Sequence, residues 1–104
     1  MWRQSPVLKA EQISASGFAV LSGRVSKVQR NRGGVWIELQ DAVVLRVAPN
    51  QLARFDVSTL ERLKGRQVEA RGWVLDRSRR GGLKEGQARW MLPLTDPAML
   101  HVAQ

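Results

Sequence analysis

Gly33-Gly34-Val35-Trp36-Ile37-Glu38-Leu39-Gln40 reads as a β-strand entered through paired glycines. Val35, Ile37 and Leu39 point one way, and Trp36, Glu38 and Gln40 the other. A period of two in a run rich in β-branched and aromatic residues marks a strand with one buried face. The apolar side is core, so Trp36 stands on the outer face.

Working outward, a tight turn at Gln40-Asp41 leads to a third strand, Val43-Val44-Leu45-Arg46-Val47, which sets Arg46 beside Trp36. Upstream, residues 17–28 carry Phe18, Val20, Leu21, Val25 and Val28, the texture of a first strand. Gly23 fits a bend that closes a barrel, and the three-residue step from Val25 to Val28 predicts a bulge at Ser26 or Lys27. Downstream, Pro49 ends the sheet and opens a helical stretch over residues 50–55. Ser58 and Glu61 have capping-box spacing for a second helical turn, closed by Gly65 as a C-cap. In the fourth strand, residues 66–75, Val68, Ala70, Gly72 and Val74 alternate against Glu69, Arg71, Trp73 and Leu75. Small residues at 70 and 72 suit a crowded barrel interior. A fifth strand begins near Ala88 and includes Leu92 and Leu94, and Met99 to Val102 forms a closing segment. Trp73 and Trp90 are expected to cover barrel ends or pack beneath loops.

Three strands, a short helix and two strands make an all-β chain with the order of the five-stranded OB-fold Greek-key barrel. An SH3-like barrel has a similar pattern. Residues 17–104 form this domain, and residues 1–16, which show no clean period, are an N-terminal arm or linker.

Two arginine-rich loops interrupt the strands, Lys27-Val28-Gln29-Arg30-Asn31-Arg32-Gly33-Gly34 and Arg77-Ser78-Arg79-Arg80-Gly81-Gly82-Leu83-Lys84. Together they hold seven of the 17 Lys and Arg residues. They join the first strand to the second and the fourth to the fifth, the loops between which OB-folds hold oligonucleotides. Lys27, Arg30, Arg32, Arg77, Arg79, Arg80 and Lys84 would neutralise phosphates, and Trp36 beside Arg46 would stack a base. Nothing in the loops reads base identity, so weak sequence preference is expected. Their glycine pairs lack the Gly-Lys-Ser/Thr continuation of a phosphate loop and are expected to allow positive backbone angles at hairpin ends.

The net charge of +8 across 104 residues predicts attraction to polyanions, single-stranded DNA or RNA above all. No acidic residue falls between Gln12 and Ile37. With no cysteine, disulfides and thiolate metal sites are excluded. No apolar run approaches membrane-spanning length and no signal-peptide core is present, which disfavours a membrane role. The competing expectation is a structural or protein-interaction domain whose outer face docks another domain, its basicity incidental.

Several stretches resemble the accessory OB domain that follows the nuclease domain in some bacterial thermonuclease-family (staphylococcal-nuclease-like) proteins. They are Gly23-Arg24-Val25, Gly34-Val35-Trp36-Ile37-Glu38-Leu39 and Leu63-Lys64-Gly65-Arg66-Gln67-Val68-Glu69-Ala70-Arg71-Gly72-Trp73. Met91, Leu94-Thr95-Asp96-Pro97 and Leu100 to Val102 continue the likeness, with Asp96 where those relatives tend to carry a histidine. Trp2 and Pro6 resemble the joining segment. The loop from Arg77 to Gln87 is longer and more basic than the resemblance implies. What it implies is the fold and a nuclease domain in the parent chain, with no catalytic residue carried over.

Thermonuclease chemistry holds a calcium ion with paired aspartates and stabilises the transition state with arginines. The Asp-Gly-Asp-Thr segment of that family has no counterpart here. Glu38 and Asp41 are the only acids between Gln12 and Gln51, one in a strand and one in a turn, which gives no oxygen cage. The lone histidine, His101, lies near the C-terminus. The expectation is a non-enzymatic binding module with neither metal nor cofactor.

Overall fold

A long strand organises the molecule. In the computed structural model, which describes residues 7–9, 16–40, 43–79 and 88–102, β1 is Val7–Lys9 and β2 is the 15-residue strand Gly17–Asn31. Then come β3 Gly34–Leu39, β4 Val43–Val47, β5 Gln67–Asp76, β6 Trp90–Pro93 and β7 Leu100–Val102. A 3-10 helix, Pro49–Arg54, and the helix α1, Val57–Glu61, lie between β4 and β5.

β2 serves two sheets. Its first half pairs antiparallel with β5, from Gly17 opposite Val74 to Arg24 opposite Gln67. Its second half pairs antiparallel with β3, up to Asn31 opposite Gly34. The register slips between Val25 and Lys27, the bulge expected from the Val25-Val28 step, and there the strand changes partner. β3 pairs with β4, β4 runs parallel to β6, and β6 pairs with β5, which returns to β2 and closes the ring. This is the five-stranded OB barrel, with the helical segment between its third and fourth strands.

Two edge strands extend the barrel to seven. β1 runs parallel to β2, Val7 opposite Val20, so part of the N-terminal arm is sheet. β7 pairs antiparallel with β5.

Alternation fills the interior. Leu21, Val35, Ile37, Val43, Leu45, Val68, Val74 and Leu92 are buried in one cluster with Ala70, Leu60 and Leu63. Each large member contributes about 1.5–3 kcal/mol by leaving water. Gly72 faces Met99 and Leu92, which a side chain there would strike.

Four expectations need correction. The α1 cap is Asp56, whose side chain accepts from the Ser58 and Thr59 amides, because its carboxylate reaches two orphan donors that Ser58, inside the turn, cannot. Gly65 is not the C-cap, since Arg62 holds that place. Trp90 is buried as expected, but Trp73 is 61% exposed. It occupies an outward position of β5 opposite Phe18, and alternation alone directs it to solvent. Of the first glycine pair only Gly34 has a positive φ, 107°. Its missing side chain matters, because a Cβ there would collide with the Val47 carbonyl. Gly81 and Gly82, Asp41 and Trp2 lie outside the described residues.

Among the described residues no helix is long and apolar enough to cross a membrane.

Candidate nucleic-acid interface

The outer faces of β2, β3 and β4 align in rows. Gln29, Trp36 and Arg46 form one, and Lys27, Glu38 and Val44 the next. Trp36 is half-buried, and its surroundings follow from the turn before it. Asn31 Oδ1 accepts from the Gly33 amide at 2.8 Å, an Asx-type turn, and also from Trp36 Nε1 at 3.0 Å. The turn therefore positions the indole.

Arg46 lies over the Trp36 ring, its guanidinium carbon 4.9 Å from the ring centroid. Arg77 approaches the same ring to 5.6 Å. Cation–π attraction favours both placements, and backbone carbonyls fix them. Arg46 Nε donates to the Gly33 carbonyl at 3.0 Å. Arg77 donates to the Ala88 carbonyl through Nε at 2.9 Å and Nη2 at 2.6 Å. Both Nη groups of Arg46 and Nη1 of Arg77 keep their donors without a partner among the described residues. Burial pulls the Arg77 pKa below its ordinary value, Glu38 opposes this and Arg46 adds to it. A guanidinium remains charged under any such shift.

Arg77 reaches the site because the two ends of the β5–β6 loop are clasped. Asp76 Oδ1 accepts from the Ser78 amide at 2.9 Å and the Ser78 hydroxyl at 2.6 Å. Arg89 donates to both Asp76 oxygens, Nε at 3.1 Å and Nη2 at 3.0 Å. The Arg77 amide donates to the Arg89 carbonyl. These bonds hold the Asp76 carboxyl well below the usual carboxylate range, Arg89 contributing most and Ser78 next. Arg89 also lies 4.6 Å from the Trp90 ring centroid.

Between the sheet and this clasp is a cavity of about 270 Å³ lined by Gln29, Asn31, Trp36, Glu38, Val44, Arg77 and Ala88. Val44 is buried although alternation turns it outward.

Of the residues proposed from sequence, the structure brings Trp36, Arg46 and Arg77 together, with Lys27 one row away and exposed. Arg30 is elsewhere: alternation sends it to the other face of β2, where Nη1 lies 4.0 Å from Glu61 of α1. Arg32 is exposed at the tip of the β2–β3 turn. Arg79 ends a short 3-10 helix, Arg77–Arg79, and Arg80 and Lys84 lie outside the described residues. Trp36 itself is a floor for two guanidiniums rather than a free-standing indole. Sequence reasoning missed Asn31, Asp76 and Arg89. The Asn31-Arg32-Gly33 and Asp76-Arg77-Ser78 spacings, both suited to Asx turns, were the available signals for the first two.

Among the described residues no cluster of His, Asp or Glu could hold a metal ion. His101 is exposed on β7 opposite Glu69.

No protein-family model matches this sequence, and no curated protein resembles it in sequence. Its structural neighbours include an asparaginyl-tRNA synthetase from Entamoeba histolytica, with a TM-score of 0.66 and 10% identity over 96% of this chain. They also include a putative aspartyl-tRNA synthetase from Leishmania major, with a TM-score of 0.60 and 10% identity over 98% of this chain. The chain spans 23% and 21% of those proteins' lengths. At this identity the likeness is one of fold, and it agrees with the OB barrel.

Proposed function

We propose that this chain is a non-catalytic OB module that binds single-stranded nucleic acid across the outer faces of β3 and β4. The observation that carries the reading is the Trp36 group, in which two guanidiniums are fixed on backbone carbonyls and still hold free donors. Fixing them in advance lowers the ordering entropy of binding. A phosphate meets Arg46 and Arg77 as ready partners, and a base finds aromatic and guanidinium surface to stack on. The site lies on the strands and beside the loop that OB-folds use for oligonucleotides. The structural neighbours, named as tRNA synthetases, are compatible with a nucleic-acid partner. The resemblance to thermonuclease accessory domains adds a companion nuclease domain in the parent chain as part of this proposal.

Titrating a labelled single-stranded oligonucleotide at several salt concentrations tests the reading. The logarithm of affinity should fall linearly with the logarithm of salt, with a slope of roughly −0.7 per phosphate neutralised. Absence of binding at low salt would sink it. Incubation with calcium or magnesium should leave the oligonucleotide intact, and metal-dependent cleavage lost in Glu38→Ala would overturn the non-catalytic part.

One observation favours a second reading, a domain that docks a protein partner. Phe18, Trp73 and Leu75 are 46%, 61% and 40% exposed on the other outer face.

A further inference from the structure

Glu38 is the one residue lining the cavity that binding to a polyanion does not call for. Among the described lining residues it is the only carboxylate, it sits two positions from Trp36 on the same face of β3, and it is half-buried. Its backbone carbonyl accepts from the Ser26 hydroxyl at 3.1 Å, but among the described residues its carboxylate has no hydrogen bond and no ion pair, and it feels Arg77 only as a charge. A negative charge facing the strand's phosphates weakens the field that Arg46 and Arg77 supply. Its two oxygens are instead suited to accepting from a neutral donor edge.

Of the four bases, guanine alone has two adjacent donors on its Watson–Crick edge, N1–H and N2–H, which match the two oxygens of a carboxylate. Cytosine and adenine each offer one amino group beside an acceptor nitrogen that a carboxylate repels. Uracil and thymine offer one N–H between two carbonyl oxygens. Base edges of single strands are read in this way, by hydrogen bonds beside a stacking surface.

We propose that Glu38 makes this cavity a guanine-selective base site, its carboxylate accepting from N1–H and N2–H of a guanine ring held in the cavity that Trp36, Glu38 and Arg77 line. Arg77, lining the same cavity, has a donor for the guanine O6, and Asn31, whose carboxamide NH2 is left over once Oδ1 is engaged, lines it too. This inference rests on the single-strand reading above and adds base identity to it. The arginine loops by themselves predict weak sequence preference, so Glu38 is the element that changes the expectation.

The test uses the full chain and short thymidine oligonucleotides, all-thymidine or with one central substitution, titrated at fixed low salt. One deoxyguanosine should tighten binding roughly tenfold over all-thymidine, in the range of a good bidentate contact. Deoxyinosine, which lacks the N2 amine, should lose most of that gain, and deoxyadenosine and deoxycytidine should gain little. In Glu38→Gln the guanosine-to-thymidine ratio should fall to near one, with circular dichroism confirming the fold. The inosine comparison needs no variant, so it decides even if that protein misfolds. Binding without guanosine preference, a preference that inosine retains, or one that survives Glu38→Gln overturns this proposal and leaves the single-strand reading standing. Absence of binding to every oligonucleotide overturns both.

Discussion

Trp36 and Trp73 occupy equivalent outward positions on their strands, yet one is held and the other is bare. Trp36 has Asn31 on its indole nitrogen and two guanidiniums at its ring, and lines a cavity with them. Trp73 is 61% exposed, with Phe18 directly across from it on β2 and Leu75 two residues on. Alternation alone decides that both leave the core. What lies across the sheet decides the rest: at Trp36 it is Arg46 and a turn ending in Gly34, at Trp73 an apolar partner. The first environment suits a charged, planar ligand such as a nucleotide, and the second suits an apolar one.

The comparison is tested most forcefully at the backbone of each region. Gly34, in the turn that positions Trp36, has a φ of 107° and its Cβ would strike the Val47 carbonyl. Gly17, beside Phe18, has a φ of 131° with nothing within 4 Å of an added Cβ. Gly34→Ala should therefore cost about 3 kcal/mol of unfolding free energy, strain and collision together. Gly17→Ala should cost about 1 kcal/mol, from conformation alone. Urea denaturation measures both, and equal losses would show that the Trp36 side is not the more rigidly built.

The side chains themselves come next. Trp36→Ala should weaken oligonucleotide binding by roughly 1 to 3 kcal/mol, through lost stacking surface and loosened guanidiniums. Trp73→Ala should leave it within about 0.5 kcal/mol, the range of a surface substitution. If Trp73→Ala carries the larger loss in an oligonucleotide titration, the ligand path runs over the apolar face instead.

A smaller effect separates the charges. Arg77→Ala should flatten the salt dependence by roughly 0.7 if it neutralises one phosphate. Arg71, two residues before Trp73 on the same face and within 3.4 Å of Glu69, should leave the slope unchanged when replaced by Ala. Equal changes would mean that the slope reports overall charge rather than the Trp36 site.

Strand alternation made the barrel legible, because each OB strand carries its apolar residues at every second place and the chain order admits few closures. It also set Trp36 beside Arg46. Arg30 was misplaced because Lys27 to Asn31, read from sequence as part of a loop, continue strand β2, where alternation turns Arg30 to the other face. The Asp76 clasp was not legible either. Asp76 and Arg89 are 13 residues apart, and the antiparallel pairing of β6 with β5, Asp76 opposite Trp90, brings Arg89 back to the end of β5. Glu38 read only as a failed metal ligand, since its meaning depends on the cavity that Arg77 and Ala88 complete.

The smallest predicted effect concerns that clasp, which lies between the two regions: Trp73 and Leu75 precede it and Arg77 follows. The Asp76 carboxyl is held below its ordinary value of 3.8 by Arg89 first and Ser78 next. A depressed folded value means that the folded state favours the ionised form. The stability it contributes is fully present above about pH 4 and is lost as pH falls from there towards the folded value. Asp76→Asn should thus lower stability slightly at neutral pH, and the difference from the wild type should shrink as the pH drops below that window. Asp56, lowered by hydrogen bonds from Ser58 and Thr59 at the α1 cap, gives the control. Asp56→Asn should likewise lose a little stability at neutral pH, a difference that shrinks in acid, with unchanged oligonucleotide affinity. Asp76→Asn should also weaken binding, because Arg77 reaches the Trp36 ring only while the loop ends stay clasped. Thermal unfolding across pH 3 to 7, paired with titrations at neutral pH, distinguishes the two. If both variants bind as the wild type does, the placement of Arg77 owes nothing to Asp76, and the bonds from Arg77 to the Ala88 carbonyl hold it alone.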